Sequence, residues 1–448
     1  MTETAGNHSL LDLAAEYVDF GRTCGADEVE ISLAHGCEFS VDVRLGKVEN
    51  LLEAASRSLS IRIIKDRKTA HAATSDLTGE TVRRLIRNAV ARAGLASRDD
   101  HSGLPLRAAE QIDISSLELY DPEIASLETS QKIRFALETE RIALGDSRIT
   151  NSHGSSFISN QVTIVLANST GFLGSYDQTF CSLSVGLQAG GTDDKVEDEW
   201  SSVARHLRDL ETPESVAKKA VERTVRQIHP RKIRTQSVPV VFEPGMTHWL
   251  MGFLFACISG VAVYRKVTFL ADRLGTQLGG RNITVIDDGL MPGRLGSRPF
   301  DSEGVSCRRT SVIENGILRH FLCDVYSSRK LKQPATGNAE GTGVSPNNFY
   351  LSPGLATPQE IIASTKEGLL LTRTIGHGLN PVTGDFSRGA FGLWLEDGEI
   401  AYPVSEVTIS GNLEQLLNHV EAVGNDLDFR APVCGPTIKV AELTVAGE

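Results

Sequence analysis

The chain has 448 residues, more than one hydrophobic core accommodates, so two or three domains are expected. With 40% hydrophobic and 23% charged residues and a mean hydropathy of -0.12, it reads as an ordinary globular chain, which excludes a disordered or membrane-embedded class. Its 45 basic against 57 acidic side chains leave a net charge of -12, which repels phosphate backbones and argues against nucleic-acid binding.

No basic-then-apolar leader precedes Glu3, Asp12, Glu16 and Asp19, so the chain reads from its start as mature protein. Alternating apolar residues predict a strand meander over 27–74, with turns at Leu45-Gly46-Lys47 and Lys65-Asp66-Arg67-Lys68. Val82, Leu85, Ile86, Ala89, Val90 and Ala93 then recur at helical spacing, with Thr78 as cap and Gly94 as stop. The polar stretch 95–128 reads as a long connection. A helix near 130–144 leads into strands near 148–189, with turn signals at Asn151-Ser152-His153-Gly154 and Asn168-Ser169-Thr170-Gly171.

The run from Asp193 to Glu199 lacks the spacing of an EF-hand and reads as a solvated acidic loop. Thr212 and Pro213 open another helix, which His229-Pro230 closes. The basic piece 231–236 is the expected domain break, giving an N-terminal domain 1–233, with sub-segments of about 1–110 and 111–233, and a C-terminal domain 234–448.

Beyond it, the uncharged segment Pro244 to Tyr264 has an apolar part shorter than the ~20 residues of a membrane span and is expected as a buried helix around Phe253 and Phe255. Asn315-Gly316 and Asp397-Gly398 are two-residue hairpin signals, the second setting Phe391, Leu393 and Leu395 against Ile400, Tyr402 and Val404. Asn412 caps a short helix stopped by Gly424. Strand meanders with helices between them give an α+β fold class, with a Gly-rich, hairpin-containing C-terminal domain.

No His is followed by Glu, so a His-Glu-x-x-His zinc helix is absent; Gly-x-Ser-x-Gly and the P-loop are absent too. Cys24, Cys37, Cys181, Cys257, Cys307, Cys323 and Cys434 are odd in number and contain no Cys-x-x-Cys pair, which fits a reducing cytoplasm rather than a disulfide framework or zinc ribbon. Cys307, beside Arg308 and Arg309, is the better reactive-thiol candidate; Cys257 reads as a buried apolar group. His153 and Asn338 stand in turn contexts where local hydrogen bonding is expected. The Gly-rich segment 376–390 is either a substrate-contacting loop or a structural turn, with His377, Asn380, Asp385 and Arg388 as cleft candidates.

Five strings in order, Gly260-Val261-Ala262-Val263-Tyr264-Arg265-Lys266, Phe300-Asp301-Ser302-Glu303-Gly304-Val305, Ala335-Thr336-Gly337-Asn338-Ala339, Thr383-Gly384-Asp385-Phe386-Ser387-Arg388-Gly389-Ala390 and Ile409-Ser410-Gly411-Asn412-Leu413, resemble the TldD/PmbA family, historically called modulator of DNA gyrase, and within it the PmbA (TldE) branch. The resemblance spans essentially the whole chain. It implies a cytoplasmic two-subunit metalloprotease acting on unfolded or flexible peptides, including peptide antibiotic precursors and an antitoxin. In the TldD branch, zinc is held by a His-Glu-x-x-x-His helix and a downstream Cys. The corresponding positions here carry Gly252, Phe253 and Cys257. The resemblance therefore implies a subunit that binds no cofactor itself, with zinc in a TldD-like partner, or a homodimer when isolated. A stand-alone hydrolase using His377, Asp385 or Cys307, and a gyrase-interacting regulator, are the alternatives.

Overall fold

Alternation of apolar and polar residues builds one long antiparallel sheet from the first half of the chain. The computed structural model describes residues 3–106, 112–191 and 195–448, the first seven by backbone alone. Its N-terminal half runs α1 (Glu3–Thr23), β1 (Glu28–Arg44), β2 (Lys47–Lys65), β3 (Lys68–Thr74), α2 (Gly79–Leu95), α3 (Pro122–Ser126), α4 (Thr129–Ala143), β4 (Ile149–Asn168), β5 (Leu173–Ala189), β6 (Val196–Ala204) and α5 (Pro213–Val225). The six strands form a single sheet in the order β3-β2-β1-β4-β5-β6, so the segments 1–110 and 111–233 share it.

Leu45 and Gly46, at φ 48° and 74°, close the β1–β2 hairpin with the positive-φ pair that matches strand twist. Buried Glu140 on α4 holds that tip, accepting from the backbone N–H of Leu45 (2.9 Å) and Gly46 (2.8 Å). Along β1, Val29, Ile31, Leu33, Phe39, Val41 and Val43 all point to one face, where α1 and α2 cover one end and α4 and α5 the other. The opposite face, with Glu30, Leu166 and Tyr176, meets the C-terminal half.

Several local expectations are corrected here. Gly94 lies inside α2, which continues to Leu95; the first turn is tied instead by Asp76, whose carboxylate accepts from Thr78 N–H and Thr81 O–H. The connection 95–128 contains α3. Asn151-Ser152-His153-Gly154 is no turn: it lies within β4, where the pairing with β5 slips at two places, as a bulge does. Of the acidic run, Asp193 and Asp194 fall outside the described residues, while Val196 to Glu199 belong to β6, with Asp198 buried and bonded to Gln227 Nε2 at 2.7 Å. α5 ends at Val225, before His229-Pro230.

The C-terminal half runs β7 (Gln236–Phe242), α6 (Pro244–Ile258), α7 (Gly260–Tyr264), β8 (Val285–Asp288), β9 (Arg309–Glu314), β10 (Ile317–Leu318), α8 (Val325–Leu331), β11 (Ala339–Glu340), β12 (Gly343–Val344), β13 (Asn348–Leu351), α9 (Pro358–Ala363), β14 (Glu367–Ile375), β15 (Asp385–Glu396), β16 (Glu399–Asn412), α10 (Leu413–Asn418), β17 (Val420–Val423), β18 (Val433–Cys434) and β19 (Ile438–Ala446). One sheet has the order β16-β15-β14-β7-β19-β17, and a further β16–β19 pairing closes five of these strands into a ring. A second sheet is β10-β9-β8-β13-β18. α6 packs between them, with Leu250, Met251, Phe253, Leu254, Cys257 and Ile258 in the main core. The helices packed on sheets make the fold α+β, and among the described residues no helix is long and apolar enough to cross a membrane.

Both hairpin signals form, but bulges in the β15–β16 ladder move the pairing: Leu395 faces Ile400, whereas Tyr402 faces Trp394, Val404 faces Gly392, and Phe391 sits opposite Arg373 of β14. Asn412 caps α10 by accepting from Glu414 and Gln415 N–H, but the helix ends at Asn418 and Val420 already belongs to β17, so Gly424 stops no helix.

The halves are held together largely by polar brackets. Arg62 of β2 lies between Glu30 of β1 (2.8 Å) and Glu303 of the C-terminal half (2.6 Å). Glu303 also accepts from Val325 N–H at the start of α8, and neighbouring Asp301 accepts from Glu303, Val305 and Ala339 N–H. Phe300 packs edge-on against Phe172 and Tyr176 of the N-terminal sheet. Buried Arg205 donates to the carbonyls of Arg294 and Leu295, and Glu243 receives Arg223 of α5 and Arg226 just after it.

Two consequences are measurable. Phe253→Ala should lower unfolding stability by about 3–5 kcal/mol, as truncation of a buried Phe does; an unchanged denaturation midpoint would contradict the packing of α6. The second concerns pH. Burial, against the pull of Arg62, raises the Glu30 carboxyl to about 7. In the window between roughly 4.3 and that value the folded chain binds more protons than the unfolded one, so this contribution is full below the window and falls as pH rises through it. His71, opposite Arg62 on β3 and held below its ordinary value by burial, acts in the reverse sense, so the comparison must be made between variants. Glu30→Gln removes the first contribution only: between about pH 5 and 7.5 its urea-unfolding free energy should fall less steeply with pH than wild type. Parallel curves would contradict it.

Candidate functional site

A groove runs between the halves, with a volume of about 780 Å³. One wall is β6, the terminal strand of the first sheet, where five consecutive residues from Glu197 to Ser201 line the groove. Because β6 pairs only with β5, alternate main-chain groups on its other edge point away from the sheet. The Glu197 carbonyl accepts from the Arg373 guanidinium at 2.7 Å, and that guanidinium lies 4.2 Å over Phe391.

Trp200 is the aromatic centre of this wall. Arg430 lies 4.0 Å over its ring, with Lys219 at 5.0 Å and Arg223 at 5.6 Å, and its indole N–H donates to Glu211 at 3.1 Å. Such cation–aromatic contacts strengthen where water is excluded. His153 Nε2 lies 3.4 Å from Glu197, whose carboxyl is held below its usual range by the Lys195 hydrogen bond first and by His153 after burial's opposing effect. Thus His153 makes its contact 44 positions along the chain, across the intervening strand β5, rather than within a turn.

The opposite wall is the first turn of α6 together with 426–437. Pro244 starts the helix at a position where its missing N–H costs nothing, right after β7. Gly245, Met246 and His248 face the groove. His248 Nδ1 donates to the Val433 carbonyl at 2.6 Å, which fixes the orientation of the ring. Gly435 lies so close to Thr247 that a side chain there would meet Thr247 Cγ2 at 2.3 Å, fixing the 433–435 segment against the helix.

One turn further along α6, a Cβ placed on Gly252 would meet nothing within 4 Å, so this position opens onto free space. Phe253 points into the core, and buried Cys257 has its thiol pushed up to about 12 by burial. Among the described residues no group of three or more His, Cys, Asp or Glu side chains stands close enough to hold a metal ion. A catalytic zinc needs three protein ligands and an open position; a hydrogen, a core phenyl ring and a protonated buried thiol do not fit one.

The predicted cleft residues lie elsewhere. Asp385 and Arg388 open β15 on the Trp249 side of α6, and the Arg388 guanidinium sits 5.0 Å over the Trp249 ring. Asp385 accepts from Asn412 Nδ2 at 2.9 Å, and its carboxyl is held below its usual value by that bond and then by Thr383. Asn380 accepts from Val382 N–H and donates its own N–H to the Asp385 carbonyl. His377 is exposed, and none of the four lines the groove. Cys307 is no reactive thiol: it is buried, donates to the Gly337 carbonyl at 3.1 Å, and burial raises its thiol well above the ordinary range despite Arg298. Asn338 is bonded locally, its Nδ2 donating to the Ser345 carbonyl at 3.1 Å, and also reaches a partner far along the chain. It and Asn347 donate to buried Asp287 at 2.8 and 3.0 Å, a carboxyl that burial raises to about 6.

Sequence reasoning missed His248 and Trp200. His248 had a signal, since it is the one imidazole in a largely apolar helix, four positions before Gly252. Trp200 had none, because its cations come from positions 219, 223 and 430.

Prediction for this site: Arg430→Ala should leave the fold intact yet increase quenching of Trp200 fluorescence by acrylamide relative to wild type, because the cover on the ring is lost. Identical quenching would contradict the Arg430–Trp200 stack.

Comparison with known proteins gives three matching family models: PmbA/TldA metallopeptidase domain 1 over residues 29–93, the central domain over 122–228 and the C-terminal domain over 235–447. Metalloprotease PmbA of Escherichia coli O157:H7 is 34% identical over 424 residues, spanning 94% of this chain and 93% of its own. A Haemophilus influenzae homologue of it is 34% identical over 96% of this chain and 94% of its own. The crystal structure of a candidate modulator of DNA gyrase from Bacteroides thetaiotaomicron superposes with a TM-score of 0.90 at 26% identity, covering 98% of each chain. TldE from Thermococcus kodakarensis shares the fold, with a TM-score of 0.87 at 22% identity, over 97% of this chain and 100% of its own.

Proposed function

This chain belongs to the PmbA/TldD metallopeptidase family, and from that premise we propose that it is a zinc-free subunit of a two-subunit metalloprotease, shaping a cleft in which a zinc-bearing paralogue cleaves unfolded peptides. One observation carries the reading. At the α6 positions where the resemblance expects ligands, Gly252 opens onto free space while Phe253 and Cys257 are committed to the core. The helix keeps an accessible face, but no side chain on it can hold or activate a metal-bound water.

The groove supports the substrate class. An outward strand edge offers main-chain hydrogen bonds that any extended peptide can match, giving affinity with little sequence selectivity. Trp200 and its cations would add contact to apolar, aromatic or acidic side chains. Seven free cysteines suit a reducing, cytoplasmic setting. A stand-alone hydrolase gains no support: Cys307 is buried with its thiol raised by burial, and the Asp385 carboxylate is engaged by Asn412 Nδ2.

The test is reconstitution. The isolated chain should retain no stoichiometric zinc after dialysis and cleave no unfolded peptide; mixed with a zinc-bearing paralogue it should support cleavage. Trp200→Ala with Arg430→Ala should then raise KM about tenfold or more while kcat changes less, since the groove binds and does not react. One retained zinc per isolated chain, or cleavage by the chain alone, overturns the reading.

A further inference from the structure

β6 continues beyond the groove it walls. Glu197 to Ser201 line the groove, and the next four residues, Ser202 to Arg205, line a second hollow of about 300 Å³. Asp428 and Arg430 border both, with Arg430 2.7 Å from Asp428 and stacked on Trp200, so the two spaces meet at that pair. Main-chain groups of successive strand residues turn to opposite sides. The Glu197 carbonyl, bonded to Arg373, points away from β5, so those of Glu199, Ser201 and Val203 do too. Arg373 occupies the first of these and the Asp198 carboxylate accepts from Glu199 N–H at 2.8 Å. Among the described residues no other element bonds to the outward main chain of Ser201 or Val203. Those two lead an extended chain about 7 Å along the edge, from Trp200 toward the second hollow.

The charges around that hollow do not balance. Each acid lining it faces a cation: Glu211 meets Lys219 at 2.8 Å, Asp428 meets Arg430, and Asp209 lies 3.9 Å from Arg208. Arg205 and Arg294 have no such partner among the described residues. Buried Arg205 gives its N–H groups to four carbonyls and the Gln178 amide, all neutral, and although burial lowers it to about 10 it stays charged at neutral pH. Arg294 is exposed, with its guanidinium 4.7 Å over the Phe429 ring and its own carbonyl tied to Arg205. A fixed, uncompensated positive charge behind a concave surface concentrates anions there.

We propose that an extended peptide lying on β6 runs past Trp200 and seats a carboxylate in the second hollow, with Arg294 as its donor and Arg205 as the fixed charge behind. The inference rests on the peptide-holding role proposed for the groove and adds a chemical preference to it, for an acidic side chain or a terminal carboxylate. Fluorescence anisotropy of the full chain with a rhodamine-labelled, unstructured ten-residue peptide tests it. The peptide is made in three forms: with a free C-terminal carboxylate and no other acid, as an amide with one internal Glu, and as an amide with no acid. At least one carboxylate form should bind about tenfold more tightly than the acid-free amide, as a charged hydrogen bond allows, and the form that gains identifies the source of the carboxylate. Arg294→Glu, an exposed change that should leave near-UV circular dichroism as in wild type, should abolish that gain and favour a Lys in place of the internal Glu. Equal binding of all three forms, weakened by Trp200→Ala but not by Arg294→Glu, overturns the carboxylate site and leaves the groove standing. A carboxylate preference that survives Arg294→Glu overturns the site as well, and binding of none of the peptides overturns both the site and the groove reading.

Discussion

Arg62 stands at a place where both halves of the molecule must agree. Its guanidinium rises from the last part of β2, on the face not covered by helices, and is shared by Glu30 of the neighbouring strand and Glu303 of the other half. Glu303 in turn starts α8, and Asp301 beside it organises the turn that meets Ala339. A buried ion pair is weak support for net stability, because desolvation opposes the Coulomb attraction. It is strong support for geometry: with the charges buried, a displaced partner leaves an unpaired ion, which costs far more than the pair gains. The Phe300 ring against Phe172 and Tyr176 adds the apolar part of the same contact.

That constraint decides what the groove can be. β6 belongs to the N-terminal sheet and α6 to the C-terminal half, so the distance between these walls is set by contacts elsewhere in the interface. Arg205 and Glu243 repeat the polar bracketing on the groove side. The groove so formed has a strand edge, a cation-covered indole and an imidazole, but no metal-ligating cluster among the described residues. Its strand edge and its aromatic centre are the features from which the proposed role in holding an extended peptide is argued.

Much of the fold was legible because its signals are local. Leu45-Gly46, Asn315-Gly316 and Asp397-Gly398 specify hairpins within a few residues, and helical spacing from Val82 to Ala93 needs nothing from the rest of the chain. The misses share a cause. The bulges that shift Tyr402 from Leu393 to Trp394 depend on how the strand packs, and Asn151 to Gly154 reads as a turn until β5 is present to pair with it. Asp198 looks like one acid in a solvated run, yet α5 buries it. The site was less legible still. His377, Asn380, Asp385 and Arg388 drew notice as polar residues among glycines, whereas the groove joins residues near 153, 200, 248, 373 and 430, whose proximity no spacing rule encodes. The strings Phe300 to Val305 and Ala335 to Ala339 carry the family resemblance, and their polar residues prove to be anchors: Glu303 for Arg62, Asn338 for Asp287.

The central claim is that the Arg62 bracket seats the two halves and thereby forms the groove. Hydrogen–deuterium exchange on Arg62→Met tests it most directly. Removing one partner of a buried ion pair typically costs about 3–5 kcal/mol. The account predicts faster exchange in three separated places at once, the last part of β2, the 300–305 segment and the groove walls at β6 and the start of α6, with α2 and α10 unaffected. Faster exchange confined to β2, with the groove walls exchanging as in wild type, would contradict it.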